Sequence, residues 1–192
     1  MSYPVLILKG KSLDEQLHLF LAQCALQVQE VITWPNQIQL QVHSYLSSNL
    51  PHVNYVTSVR SIVLREQTVL VVQDPERLHI LPGGRIENGE SFTQTLQREL
   101  LEETGWTVNR IHYLGFQHFH HLTPKPAAYR YPYPDFLQVI FCANVLASLP
   151  EAKELNGYES DAVFYSFSEL SALSLPESER SYLMTALKRH KH

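Results

Sequence analysis

Apolar and polar residues follow different periods along this chain, and the changes of period mark its elements. Val56–Leu64 and Thr68–Gln73 are short apolar runs joined by the polar Arg65-Glu66-Gln67, the pattern of a strand pair with a tight turn. Gln37–His43 alternates, with Ile38, Leu40 and Val42 on one face, which predicts a further strand. Apolar runs follow at Thr107–Phe119, Phe136–Leu146 and Ala162–Phe167. Helical spacing appears at both ends. Ser12 is placed to cap a helix reaching about Val31, striped by Leu13, Leu17, Phe20, Leu21, Cys24 and Val28. Tyr182, Leu183, Ala186 and Leu187 predict a closing helix over Glu177–Lys191. Several strands with few helices between them predict an α/β protein, a mixed sheet sandwiched by helices in α/β/α order.

One more helix is predicted, and its polar face matters more than its apolar one. Ser91 with Gln94 forms a capping box, and Gly105 supplies the left-handed stop, giving a helix from about Phe92. At 100° per residue, Glu99, Glu102 and Glu103 share an arc of roughly 100°. Leu96 and Leu100 take the neighbouring arc and face a core. Glu99 and Glu103 are like charges at i,i+4, which cost a few tenths of a kcal/mol unless something neutralises them. A hard divalent cation such as Mg²⁺ suits such oxygen ligands and keeps other positions for water and phosphate. Arg98 is placed to hold one carboxylate in a two-point ion pair, and Pro82-Gly83-Gly84 lets backbone approach without a Cβ.

The stretch from Gly84 to Trp106, GRIENGESFTQTLQRELLEETGW, fixes Gly84, Glu90, Arg98, Glu99, Leu100, Glu102, Glu103, Gly105 and an apolar Trp106 at set spacings. At background residue frequencies such a coincidence has a probability on the order of 10⁻⁷. The segment resembles the Nudix box of the Nudix hydrolases, with Trp106 standing where an aliphatic residue is usual. The resemblance implies a Nudix-like α/β/α sandwich and Mg²⁺- or Mn²⁺-dependent cleavage of the pyrophosphate in a nucleoside diphosphate derivative. ADP-ribose-like compounds, nucleotide sugars and oxidised nucleoside triphosphates are the candidate substrates. It also implies metal ligands at Glu99, Glu102 and Glu103, a fourth at the Gly83 carbonyl, support from Glu90, and orientation of the glutamates by Arg98. Glu99 is the first candidate for the general base and Asp161, with Glu159 beside it, the second. A catalytically silent Nudix-fold module that senses a nucleotide is the alternative, against which all four box glutamates stand.

The remaining features refine this. The stretch from His118 to Phe136 carries four prolines and three tyrosines, a stiff loop between strands. From it, Phe119, Lys125, Tyr129 and Arg130 are candidate substrate contacts, the rings for a base and the cations for phosphate or sugar. Residues 1–55 precede the predicted Nudix domain at 56–192 and offer three roles: completing the domain, covering the substrate or forming a homodimer surface. A formal charge of −4 gives no general basic field and argues against broad nucleic-acid binding. Cys24 and Cys142 lie in apolar sequence and read as reduced core thiols. With no signal peptide and no membrane-length apolar run, cytoplasmic residence is the default expectation.

Overall fold

A computed structural model describes residues 12–75, 77–127, 129–154 and 161–190, and places them in two compact units. The first unit comprises the chain up to Thr57 together with Gly115–Val139. The second comprises Ser58–Leu114 and the chain from Ile140 onward.

In the first unit, α1 (Leu13–Ala22) opens on Ser12, whose hydroxyl accepts from the Glu15 amide while Glu15 reaches back to the Ser12 amide. The expected helix to Val31 is not formed. Amides of Gln23 and Cys24 close on the carbonyls of Phe20 and Leu21, and the chain then enters strand β1 (Ala25–Trp34). Two signals coincide here. Leu17, Phe20 and Leu21 are a true helical stripe. Val28, Val31, Ile32 and Thr33, however, are β-branched and stiff, which favours extension. From Val28 to Trp34 half-buried and exposed residues alternate in the manner of a strand. β1 pairs antiparallel with β2 (Ile38–Leu46), from Trp34↔Ile38 to Ala25↔Leu46. Asn36 and Gln37 turn between them in left-handed conformations.

Residues Gly115–His121 of β6 (Trp106–His121) run antiparallel to β2, from Leu46↔Gly115 to Leu40↔His121. Gly115 is required by that approach, since a Cβ there would fall onto the Tyr45 carbonyl. The unit's core holds Leu40, Val42, Phe119 and Phe136, with Ile32, Trp34 and Ile38 packed on it.

In the second unit, β3 (Val56–Arg65, from Ser58) and β4 (Thr68–Gln73) form the expected hairpin, with Leu64↔Val69 and Arg65↔Thr68 in register and Glu66 left-handed at the turn. β4 also pairs with β5 (Leu78–His79) and with β8 (Asp161–Ser166). Its four central residues are buried, and they read as a continuous apolar run for that reason. The predicted helix is α2 (Phe92–Thr104), capped by Ser91 with Gln94 and stopped by left-handed Gly105. Leu96 and Leu100 are fully buried beneath it. β7 (Asp135–Ser148, here from Ile140) and a short α3 (Phe167–Leu170) follow. Trp106 begins β6 and packs edge-on against Phe164 at 5.3 Å between centroids. The closing helix α4 (Glu177–His190) buries Tyr182, Leu183 and Ala186 as its spacing predicted. Near its start, buried Glu179 accepts from the Ile80 amide at 3.0 Å and pairs with Arg77 at 2.7 Å.

Both cysteines are free thiols. Among the described residues no helix is long and apolar enough to cross a membrane.

Candidate functional site

Two local structures bring the box residues together. The glycine turn is laid against β3: the Val59 amide donates to the Gly84 carbonyl at 2.8 Å and the Ser61 amide to the Pro82 carbonyl at 3.0 Å. Gly83 has φ +126°, and a Cβ there would meet the Val59 carbonyl oxygen. A Cβ on Gly84 would land on the Glu99 carboxylate. Glycine at both positions is what lets strand, turn and helix α2 approach this closely.

From α2, Arg98 uses every N–H it has. Nε donates to Glu90 Oε1 at 2.7 Å and Nη2 to Glu90 Oε2 at 3.0 Å. Nη1 donates to Glu99 Oε1 at 2.9 Å and to Glu102 Oε2 at 3.0 Å. The fifth bond runs from Nη2 to the Arg85 carbonyl at 3.0 Å. One guanidinium therefore ties three carboxylates to the turn that precedes them. The sequence predicted one such pairing. Glu103 lies on the same helix face but has a different partner, accepting from the Gly83 amide at 2.8 Å.

The electrostatics follow from these contacts. Hydrogen bonds from Arg98, then from the Thr95 hydroxyl, pull the Glu90 carboxyl down to about 2. The same network raises the Arg98 pKa, so its charge is permanent. Glu99 is displaced the other way: burial lifts its pKa, and the Arg98 contact opposes that only in part. It is 15% exposed, against 36% for Glu102. The Arg98 guanidinium thus joins a helix carboxylate of raised proton affinity, Glu99, to one before the helix that is fixed as an anion, Glu90.

The donor set is compatible with a divalent cation. It consists of hard carboxylate oxygens on one helix face beside a glycine turn, the type Mg²⁺ and Mn²⁺ take. The arrangement as placed serves Arg98 and Gly83. Among the described residues no group of three or more His, Cys, Asp or Glu side chains stands together as an ion cage. Of the two helix carboxylates that Arg98 Nη1 holds, Glu102 is the more exposed and has more room to turn toward an ion.

The other predicted residues lie elsewhere. Asp161 is exposed at the start of β8, opposite Gln73; Glu159 is outside the described residues. Phe119, Lys125, Tyr129 and Arg130 belong to the first unit. Phe119 is 5% exposed and stacks on Phe136 at 4.8 Å, inside the core and without a face open to a base. Its alternation with polar neighbours marks a buried strand residue equally well. The Tyr129 hydroxyl bonds His121 Nε2 at 3.0 Å, the Lys125 ammonium lies 5.9 Å from the Tyr133 ring centre, and Arg130 is exposed. Sequence reading did not anticipate Asp135, whose Oδ1 meets His118 Nε2 at 2.7 Å and His120 Nδ1 at 2.8 Å. These contacts give two histidines at the end of β6 a carboxylate partner.

Comparison with known proteins identifies the family and the fold. The NUDIX domain family model matches residues 54–186, most of the chain, and the protein belongs to the NUDIX family. Among curated relatives, the NAD-capped RNA hydrolase of Vibrio cholerae is 31% identical over 84 residues, covering 42% of this chain and 30% of that protein. That of Mycobacterium tuberculosis is 39% identical over 69 residues, covering 36% of this chain and 18% of that protein. The chain thus spans less than a third of the length of either relative. Among solved structures, a pyrophosphohydrolase of Bacillus subtilis superposes with TM-score 0.56 at 20% identity, covering 84% of this chain and 96% of that one. A NUDIX hydrolase of Nitrosomonas europaea superposes with TM-score 0.51 at 23% identity, covering 67% and 86%. The expected α/β class, a mixed sheet with helices, is the class these folds share.

Proposed function

We propose that this protein is a Mg²⁺- or Mn²⁺-dependent hydrolase of the pyrophosphate bond in nucleoside diphosphate derivatives. The observation that carries the proposal is the Arg98 network, which ties Glu99 and Glu102 on one helix face to Glu90 at the helix entrance, beside a glycine turn. Glu99, Glu102 and Glu103, with the Gly83 carbonyl, are the groups to hold the metal. When bound, such a cation neutralises charge on phosphate oxygens and lowers the pKa of an attacking water. Glu90 anchors Arg98 from the helix entrance, and Arg98 sets the rotamers of Glu99 and Glu102. Glu99, its proton affinity raised by burial, is the first candidate to take the proton from water, and exposed Asp161 the second. The first unit's loop residues are assigned no step.

Among nucleoside diphosphate derivatives, dinucleotide and ADP-ribose-like compounds rank ahead of nucleotide sugars and oxidised triphosphates. Support comes from the relatives named NAD-capped RNA hydrolases. The test is a panel of NAD⁺, NADH, NAD-capped RNA, ADP-ribose, nucleotide sugars, dinucleoside polyphosphates, nucleoside triphosphates and oxidised deoxynucleoside triphosphates, assayed with Mg²⁺ or Mn²⁺ and with products identified. Cleavage between the two phosphates of at least one member is expected. Nucleotide binding without turnover on any of them would replace this reading by the silent sensing module.

A further inference from the structure

The second unit contains a cavity of about 640 Å³ remote from the box, of the size that small-molecule sites occupy. Leu64 and Ala186, both buried, form apolar parts of its wall. Two elements supply its basic side chains: Arg110 and His112 come from β6, Lys188 and Arg189 from the last turn of α4. No carboxylate lines it among the described residues. Position separates it from the box. The glycine turn bonds β3 at Val59, whereas Leu64 lies five residues further along that strand, about 17 Å away at the rise of an extended chain.

We propose that this cavity is a second binding site, for a small molecule that carries a phosphomonoester or diphosphate on an apolar body. Cations in the last turn of a helix are favoured by its dipole, which accounts for Lys188 and Arg189 alone. It does not account for Arg110 and His112 arriving from a strand at the same cavity. Nor does it account for the backbone of Arg110, which is left-handed at φ +47°, a conformation a long side chain rarely adopts without compensation. Arg189 is already oriented, its Nη1 donating to the Tyr113 carbonyl at 2.7 Å. Three permanent positive charges on a chain of net charge −4 match a phosphate dianion or diphosphate better than a single carboxylate. The site requires neither the box chemistry nor a metal.

ADP in EDTA is the probe, titrated calorimetrically into wild type, the Arg110→Glu/Lys188→Glu double variant and Glu99→Gln. Both reversed residues are exposed, so circular dichroism is expected to be unchanged. Wild type is expected to bind saturably with Kd below about 1 mM. The double reversal should weaken binding at least about tenfold, and Glu99→Gln should leave it within about twofold. In wild type the His112 ring proton resonances should shift with the same midpoint, a readout that holds even if the double variant misfolds. Absent binding, binding that ignores the double reversal, binding removed by Glu99→Gln, or unshifted His112 resonances would each overturn the proposal.

Discussion

Glu90 and Arg98, eight residues apart in the chain, meet through two hydrogen bonds of 2.7 and 3.0 Å, so the guanidinium is held as a plane before it reaches any other carboxylate. That plane then sets where Glu99 and Glu102 lie. Lysine keeps the charge but has no planar fork to meet four acceptors at once. Arg98→Lys is expected to cost about 1–3 kcal/mol in chemical denaturation and to lower turnover more than tenfold. Unchanged stability and unchanged turnover would show that the network is decorative.

Glu103 is placed by the Gly83 amide rather than by Arg98. A glutamine can accept the same bond, so Glu103→Gln should retain the wild-type circular dichroism spectrum and unfold within about 1 kcal/mol of it. Metal-dependent turnover should fall by at least about a thousandfold, since the anionic ligand is lost. Turnover near wild type in a folded variant would remove Glu103 from the proposed site.

The two glycines of the turn should fail differently when replaced by alanine. At Gly84 the added Cβ meets the end of the Glu99 side chain, which can swing away, so stability should change by less than about 1 kcal/mol. The displaced carboxylate should nonetheless lower turnover about a hundredfold. At Gly83 the Cβ meets the β3 backbone and the φ of +126° is itself adverse, so unfolding free energy should drop by about 2–4 kcal/mol. Denaturation and kinetics on the two variants separate the cases.

His79 is buried, and that burial, with Arg60 and Arg77 nearby, pulls its pKa down to about 4 against the opposing influence of Asp74. An imidazole depressed in the folded state contributes stability above its unfolded pKa of 6.5 and loses it as pH falls through 4. Between those values the unfolded chain binds the proton and the folded one does not. Wild type is expected to lose up to about 3 kcal/mol over this interval from His79. His79→Leu should flatten that part of the profile, as read by urea unfolding at pH 7 and pH 4.5. An identical slope in both proteins would place the pH sensitivity elsewhere.

Helix α2 was legible because everything that defines it is local: a cap and its reciprocal partner three residues apart, a stripe at helical spacing, and a glycine stop. The shared face of Glu99, Glu102 and Glu103 follows from that geometry. The partners of those carboxylates do not. Glu103 finds an amide twenty residues earlier in the chain, which depends on how the glycine turn folds back along β3. The helix expected to Val31 ends at Ala22 because Cys24 and Val28 continue the spacing of a helix while Val28 also suits a strand, and only pairing with β2 decides between them. Phe119 was misread for a related reason: an aromatic in a loop-flanking segment looks available until its stacking partner is known. The cavity lined by Arg110 and Arg189 joins residues too far apart in the chain for any periodicity to connect.

Glu179 belongs to the last helix, yet the amide it accepts from is that of Ile80, two residues before the proline that opens the glycine turn. The turn's stiffness is therefore borrowed from the far end of the domain. Deleting α4 would leave that buried N–H without its carboxylate and Arg77 without its ion-pair partner. The damage would surface in the seating of Gly83 and Gly84, far along the chain from the cut. The C-terminal helix is in that sense the keystone of the box, although it carries none of the box's residues.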